Sequence, residues 1–206
     1  MILVTGATGF LGAHLCCTLL LKGYRIKALK RDNSSLAEFD FISSLRLGEK
    51  KSDMLQNLEW TKGDILDYLS LTEAFEGVKE VMHCAAVVSF WKGMRENMYR
   101  VNVEGTANVV NACLEMGVQR LTHVSSIAAL GRSGKEEEIN EKTTWVDSPL
   151  NSNYAKSKML AEMEVWRGQE EGLEVVVVNP GVVLGEGDWS KGSCRMFRKV
   201  LDGMKF

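Results

Sequence analysis

Proline and paired cysteine are scarce in this chain of 206 residues. The two prolines exclude a proline-rich linker, and the five scattered cysteines include no CxxC pair and no His/Cys cluster at metal-binding spacing. Such cysteines indicate reduced thiols of a cytoplasmic protein without a metal site. The 25 basic and 27 acidic side chains give a formal charge of −2, so neither nucleic acid nor an anionic membrane surface is an expected partner. No apolar run approaches the length of a membrane span, and residues 1–5 predict a buried strand rather than a leader.

What the chain does contain is an alternation of short β-rich runs and amphipathic stretches. This alternation is typical of βαβ units in a doubly wound α/β fold with a parallel sheet, the Rossmann fold. The predicted strands are residues 2–5, 25–29, 59–62, 80–84, 121–125 and 175–179. The predicted helices are residues 10–22, 36–46, 69–75, 98–116 and 154–169. Four consecutive valines, 175–178, predict a strand buried on both faces, and the polar stretch 131–149, with the charged run 135–138, predicts a solvated loop.

The first predicted strand leads directly into a glycine-rich turn. Residues 5–12 have the sequence Thr-Gly-Ala-Thr-Gly-Phe-Leu-Gly and open the first predicted helix. A dinucleotide pyrophosphate needs backbone amides pointed at it and no side chains in the way, and glycines before a helix N-terminus meet both needs. Gly12 should also let the helix pack closely on the sheet. Three glycines at this spacing are weak evidence alone, but a strand before them and a helix after them predict a dinucleotide site.

A tyrosine and a lysine four residues apart, Tyr154 and Lys158, form the second functional pattern. On a helix the two side chains share one face, and a neighbouring ammonium is expected to lower the tyrosine pKa toward the working pH. Such a tyrosine can exchange a proton with a carbonyl oxygen as hydride moves. Because the pair recurs often by chance, it needs a partner. Ser125 and Ser126, at the carboxyl end of the fifth predicted strand, supply a hydroxyl that can bond the substrate oxygen.

These motifs together resemble those of the extended short-chain dehydrogenases/reductases, the NAD-dependent epimerase/dehydratase superfamily, and are most similar to dihydroflavonol reductases and 3β-hydroxysteroid dehydrogenases. The resemblance implies that Ser126, Tyr154 and Lys158 are catalytic, because family members place the serine or threonine five residues before a glycine. It also implies that Lys158 holds the nicotinamide ribose. The cofactor contacts that the resemblance implies are Gly6, Thr8, Gly9, Phe10, Leu11, Gly12, Arg31, Asp64, Ile65, Ala85, Ala86, Tyr154, Lys158, Pro180, Gly181, Val182 and Val183.

Several further positions bear on the resemblance. Asn179 and Leu184 replace the arginine and tyrosine that are common in the family segment beside the nicotinamide, which leaves details of the substrate pocket open. Asn102 matches a family helix motif and is interpreted as structural or water-organising. The three histidines, His14, His83 and His123, are interpreted as packed or surface residues rather than as catalytic groups or ligands.

The end of the second predicted strand bears on the choice of cofactor. A carboxylate there bonds the ribose 2′-hydroxyl of NAD(H), whereas a cation accommodates the 2′-phosphate of NADP(H). Lys30 stands where NAD-using epimerases place their aspartate, and Arg31-Asp32 resembles the pair that ends this strand in the dihydroflavonol reductases. We therefore expect NADP(H). Asp32 falls near the generic acidic spacing, so NAD(H) stays open, as does an ordinary surface role for Lys30 and Arg31.

The expected function is that of an NADP(H)-dependent oxidoreductase acting on a small-molecule ketone or secondary alcohol. We expect one dinucleotide-binding domain over residues 1–206, with the family's usual C-terminal substrate domain largely absent, as in a truncated gene product. The alternatives are an NAD-dependent sugar-nucleotide epimerase or dehydratase and a non-catalytic NADP-binding module. A homodimer is left open, and the substrate itself is not encoded in any motif, because fold does not fix function.

Overall fold

The computed structural model describes residues 1–132, 138–190 and 192–203, apart from the side chain of Lys92. The strands are β1 (Ile2–Thr5), β2 (Ile26–Lys30), β3 (Leu58–Lys62), β4 (Glu80–His83), β5 (Arg120–Val124) and β6 (Glu174–Val178). The α-helices are α1 (Phe10–Leu21), α2 (Ala37–Leu47), α3 (Lys51–Leu55), α4 (Tyr68–Ala74), α5 (Arg95–Tyr99), α6 (Gly105–Glu115), α7 (Asn153–Glu170) and α8 (Arg195–Leu201). The six predicted strands and four of the five predicted helices are therefore present, with ends shifted by about one residue.

All six strands pair in parallel, in the order β3-β2-β1-β4-β5-β6. The chain therefore winds outward in both directions from β1, with the point of reversal between β1 and β4. Ligands of doubly wound sheets bind at the carboxyl edge near such a switch point. The doubly wound Rossmann prediction is confirmed.

The sheet separates two hydrophobic clusters, and β1 contributes alternate residues to them. Leu3 belongs to one cluster together with residues of α4, α6 and α7. Ile2 and Val4 belong to the other, with residues of α1 and α2. Side chains of a strand alternate between the faces of the sheet, and all four residues of β1 are buried. Helices on both sides thus hold the central strands, and with them the turn that follows β1.

The valine run is not buried on both faces, and that expectation is wrong. β6 is the last strand of the sheet order, and Val176 and Val178 are each 43% exposed. Val175 and Val177 instead pack against the cluster under α6 and α7. β-branched residues favour a strand whether one face or two are covered, so composition alone did not reveal that one face of β6 is exposed.

One helical prediction needs correction, and two short helices were missed. Residues 98–116 do not form one regular helix, because α5 passes through a π-helical turn, Arg100–Glu104, before α6 begins. The short helices α3 and α8 were not predicted at all.

In the polar stretch 131–149, residues 138–149 lack regular secondary structure, whereas most of the charged run 135–138 lies outside the described residues. Within the described parts of the chain, no helix is long and apolar enough to cross a bilayer.

Candidate functional site

The turn after β1 is packed so tightly that two of its glycines have no room for a side chain. Gly6 has φ +68°, and a Cβ there would lie 2.7 Å from the amide nitrogen of Ala85 at the end of β4. A Cβ at Gly12 would collide with the carbonyl oxygen of Gly6. Gly12 therefore lets α1 approach the turn itself, rather than the sheet as expected from the sequence. These two contacts leave a bare backbone surface at the carboxyl edge of the sheet.

The N-terminus of α1 faces this turn without a side-chain cap. Gly9 occupies the N-cap position, no described side chain caps it, and the first turn of α1 has no acidic residue. Uncapped first-turn amides and the helix dipole favour an anion such as a pyrophosphate. Thr8 and Leu11 are half-buried beside them. The Phe10 side chain packs against Gly185 and Gly187, so its contribution to an anion site would come from its backbone.

The segment after β6 comes close to the start of α1. A cavity of about 200 Å³ is lined by residues of both, and His14 Nε2 lies 2.7 Å from the carbonyl oxygen of Glu186, 172 positions further along the chain. The lining residues are Phe10, Leu11, His14, Arg46, Val183, Leu184, Gly185 and Glu186. The fold thus brings together predicted contacts from opposite ends of the chain. Within that segment Gly181 and Val182 are exposed, and Pro180 is half-buried.

The end of β2 carries the residues predicted to choose the cofactor. Arg31 and Asp32 are both exposed. Asp32 forms an ion pair with Lys62 at the end of β3, with 2.6 Å between Oδ2 and Nζ. The Asp32 carboxylate, through a hydrogen bond and its charge, raises the pKa of Lys62. Exposed ion pairs are weak, so this contact favours one orientation of the Asp32 side chain but does not fix it.

Asp64 and Ile65, expected near the adenine, have structural tasks as well. The Asp64 carboxylate accepts a 3.0 Å hydrogen bond from the Leu66 amide, as a turn-forming aspartate does. Ile65 is 7% exposed and packs on Gly105, where a Cβ would lie 2.6 Å from Ile65 Cδ1. Only a small part of the Ile65 side chain is therefore open to a ring. Ala85 is half-buried and Ala86 exposed at the end of β4.

Ser126, Tyr154 and Lys158 lie together at the carboxyl end of β5. The hydroxyl of Ser126 is near enough to the phenol of Tyr154 to influence the phenol's pKa as a hydrogen-bonding group. Lys158 Nζ donates a 2.9 Å hydrogen bond to the carbonyl oxygen of Val124, the last residue of β5. Ser125, the other candidate serine, is 4% exposed, and its Oγ has no hydrogen-bond partner among the described residues. Of the two serines, Ser126 is therefore the one within reach of Tyr154.

The pKa of Tyr154 moves in the opposite direction to the one expected. Burial raises the pKa of the Tyr154 phenol, and the hydrogen bond with Ser126 only partly offsets this. The neighbouring Lys158 ammonium does not outweigh this effect, and burial also lowers its own pKa to about 8, against the opposing influence of Glu162 and Cys84. Desolvation disfavours the charged form of both groups. Tyr154 is consequently a neutral phenol, and thus a proton donor, at neutral pH.

A buried hydrogen-bond chain through His83 connects the glycine-rich turn with the helices behind it. The Thr106 hydroxyl donates to the carbonyl of Asn102 at 2.6 Å, so its oxygen accepts from His83 Nε2 at 3.0 Å. Nδ1 of His83 then accepts from the Thr5 hydroxyl at 2.7 Å, and Thr5 Oγ1 accepts from the Ala85 amide at 3.3 Å. Burial lowers the His83 pKa to about 3. The imidazole is therefore neutral and carries its proton on Nε2.

Asn102 acts as a clamp in the same region, in agreement with its structural interpretation. Its Oδ1 accepts from the Val87 amide at 2.7 Å, and its Nδ2 donates to the Val87 carbonyl at 2.9 Å and to Ser157 Oγ at 3.0 Å. Ser157 directly precedes Lys158 on α7. The clamp thus joins the loop after β4 to the helix that carries Tyr154 and Lys158. Phe90 of this loop lies edge-on to Tyr154, with ring centroids 5.9 Å apart.

Comparison of the sequence with known protein families identifies the family of this chain. A sequence profile described as the NAD-dependent epimerase/dehydratase family matches residues 2–205. The chain belongs to the NAD-dependent epimerase/dehydratase family. The resemblance to extended short-chain dehydrogenases/reductases is thereby confirmed.

Named relatives within the epimerase/dehydratase family include reductases. The chain is 35% identical to a putative dihydroflavonol 4-reductase of Synechocystis sp., over 90% of this chain and 50% of that protein. It is 34% identical to cinnamoyl-CoA reductase 1 of Petunia hybrida, over 90% of this chain and 55% of that protein. Among solved structures, the UDP-glucose 4-epimerase of Thermus thermophilus, in complex with NAD, superposes with a TM-score of 0.76 at 26% identity. That match covers all of this chain and 64% of the epimerase, so the chain spans only half to two thirds of these relatives.

Several residues of this candidate site were missed in the sequence. The linking role of His83 was not predicted, since a histidine at a strand end is not distinctive by itself. Glu162 was also missed, although it follows Tyr154 and Lys158 at a further four-residue step and so lies on the same face of α7. Asn179 was noticed only as a departure from the family, and its bonding partners depend on the packing of β6 beside β5.

Proposed function

We propose that this chain binds a nicotinamide dinucleotide, preferably NADP(H), and serves an oxidoreductase that interconverts a ketone and a secondary alcohol. The observation that carries the proposal is the meeting of two features at one sheet edge. The uncapped start of α1 suits a pyrophosphate, and Ser126, Tyr154 and Lys158 converge at the end of β5. Because the two features lie far apart in the chain, a common ligand explains their meeting at one sheet edge better than chance does.

The chain's residues fit a dinucleotide in a definite order. Amides of the turn and of α1 would hold the pyrophosphate, because glycines at positions 6 and 12 let the backbone of the turn fold tightly against α1 and the end of β4. Lys158 would hold the nicotinamide ribose, and residues 180–183 would border the nicotinamide. Asp64 and Ile65 would lie by the adenine. When bound, such a cofactor supplies or accepts the hydride.

Tyr154 and Ser126 would handle the substrate oxygen. Because burial raises the Tyr154 pKa, the phenol can give its proton to an oxygen that gains negative charge during reduction. The hydroxyl of Ser126 would donate a hydrogen bond to the same oxygen and hold it beside the phenol. The Lys158 ammonium would stabilise the phenolate that remains and so ease the transfer of the proton to the substrate oxygen.

The preference for NADP(H) rests on the charges at the ends of β2 and β3. Arg31 is exposed at the position where a 2′-phosphate would lie, and a guanidinium can bind phosphate through two hydrogen bonds. Asp32, which could instead bond a 2′-hydroxyl, is turned toward Lys62. An NAD-dependent epimerase is the second candidate, favoured by the similarity to the Thermus thermophilus enzyme.

The test is titration of the purified chain with NADPH and with NADH, followed by nicotinamide fluorescence. We expect tighter binding of NADPH, and a loss of that preference in Arg31→Ala but not in Arg25→Ala, an exposed arginine just before the opposite end of β2. A preference for NADH would support the epimerase. Binding of neither cofactor would refute the proposal.

A further inference from the structure

The segment that carries Ser126 is attached to the end of β6 by three hydrogen bonds. The Ser125 amide donates to the Val178 carbonyl at 2.8 Å, and the Ile127 amide donates to the Pro180 carbonyl at 3.0 Å. Between them, Asn179 Nδ2 donates to the carbonyl oxygen of Ser126 at 3.1 Å. The backbone of Ser126 is therefore held on both sides and at its own carbonyl.

The same Asn179 amide reaches the helix that carries Tyr154 and Lys158. Nδ2 also donates to Glu162 Oε1 at 2.5 Å, a hydrogen bond to a carboxylate and therefore a strong one. Glu162 stands four residues after Lys158 and eight after Tyr154, which places the three on one face of α7. One amide group thus bridges the strand side and the helix side of the site.

The charge of the Glu162 carboxylate also raises the pKa of the buried Lys158 ammonium. The other titratable groups that interact with the Lys158 ammonium are His83 and Cys84 of the β4 end and His123 of β5. Burial holds all three neutral near pH 7, because it lowers the pKa of both imidazoles and raises that of the thiol to about 12. Tyr154, on α7 itself, is neutral as well. Of these groups and Glu162, only the carboxylate is charged and can stabilise the buried ammonium.

We propose that Glu162 and Asn179 are positioning residues that couple the two halves of the site: Asn179 holds the Ser126 backbone, and Glu162 anchors Asn179 to the face of α7 that carries Lys158. The proposal rests on the function proposed above for Ser126 and Lys158. It assigns a positioning role to Asn179, the residue that replaces the arginine common in the family. In this chain, a neutral amide takes the position of the common arginine, which leaves the Glu162 charge available to Lys158.

Two substitutions separate the two effects. Glu162→Gln keeps an oxygen that can accept from Asn179 but removes the charge. Asn179→Ala removes the bond to Ser126 but keeps the charge. Glu164→Gln is the matched control, because Glu164 lies on the same helix and pairs with Arg167 instead.

Both readouts are independent of cofactor and substrate. Amide hydrogen exchange at residues 127–129 measures how firmly the Ser126 segment is held, and the ¹³Cε chemical shift of Lys158 follows its titration. Asn179→Ala should speed exchange at these amides about tenfold. Glu162→Gln should leave exchange there nearly unchanged and move the Lys158 titration to lower pH. Glu164→Gln should change neither.

Unchanged exchange in Asn179→Ala would overturn the role of Asn179, and an unmoved Lys158 titration in Glu162→Gln would overturn that of Glu162. If Asn179→Ala does not fold, Asn179→Leu keeps the volume without the donor and should show the same faster exchange. Failure of the proposed function is recognised separately, because the titrations with NADPH and NADH would then be negative whatever these two readouts give.

Discussion

The buried ammonium of Lys158 should cost the folded chain stability, and this can be measured. Lys158 is 2% exposed, and burial lowers its pKa from 10.5 to about 8. That difference corresponds to roughly 3 kcal/mol at neutral pH. Replacing Lys158 by Met removes this cost but leaves the Val124 carbonyl without its donor, a loss of about 1 kcal/mol. We therefore expect Lys158→Met to raise the free energy of unfolding by about 2 kcal/mol at pH 7.

The pH dependence of the same variant gives a sharper test. A lysine with a lowered pKa binds fewer protons in the folded than in the unfolded state between pH 8 and 10.5, so the stability of the unsubstituted chain should rise with pH across that window. The advantage of Lys158→Met should therefore disappear as the pH approaches 10.5. Below pH 8 it should be constant.

Urea unfolding of both proteins at several pH values is the assay. Lys156→Met is the control, since the Lys156 side chain is 35% exposed and pairs with Asp147 at the surface. It should change the free energy of unfolding by less than about 1 kcal/mol. A Lys158→Met protein that is less stable at pH 7, or whose advantage does not vary with pH, would refute the reasoning.

Three further outcomes are expected from the site geometry. Gly12→Ala should weaken dinucleotide binding and lower the free energy of unfolding by about 1–3 kcal/mol, because its Cβ would collide with the Gly6 carbonyl. Gly117→Ala is a comparison for backbone strain alone, since at this surface turn a Cβ would have open space but φ is +65°. Equal effects of the two substitutions on dinucleotide binding would contradict a pyrophosphate site at the glycine-rich turn. The His83 imidazole should show a proton on Nε2 and no titration between pH 5 and 8 in ¹⁵N NMR spectra, since its pKa is about 3; a protonated ring at pH 6 would disprove the assigned hydrogen-bond chain. Tyr154→Phe should bind NADPH within about twofold of the unsubstituted chain yet lose turnover of any ketone found as a substrate; retained turnover would exclude Tyr154 as the proton donor.

The sequence by itself determined the architecture and the start of the site. Alternating β-rich and amphipathic runs predict a doubly wound sheet, and the short distance between β1, the glycine turn and α1 makes that motif a local one. The pair Tyr154 and Lys158 is local too, since both lie on one helix at a four-residue step. Such patterns can be recognised because their geometry depends on neighbours in the chain.

Tertiary structure decided what depends on contacts between distant segments. The exposed face of β6, the pairing of Asp32 with Lys62 and the bonds of Asn179 all follow from which strands lie side by side. Burial reversed the expected direction of the Tyr154 pKa, because the desolvation of a side chain depends on everything packed around it. The hydrogen-bond direction through His83 likewise required its partners from β1 and α6. Spacing singled out the candidate residues, and packing set their charges and their orientation.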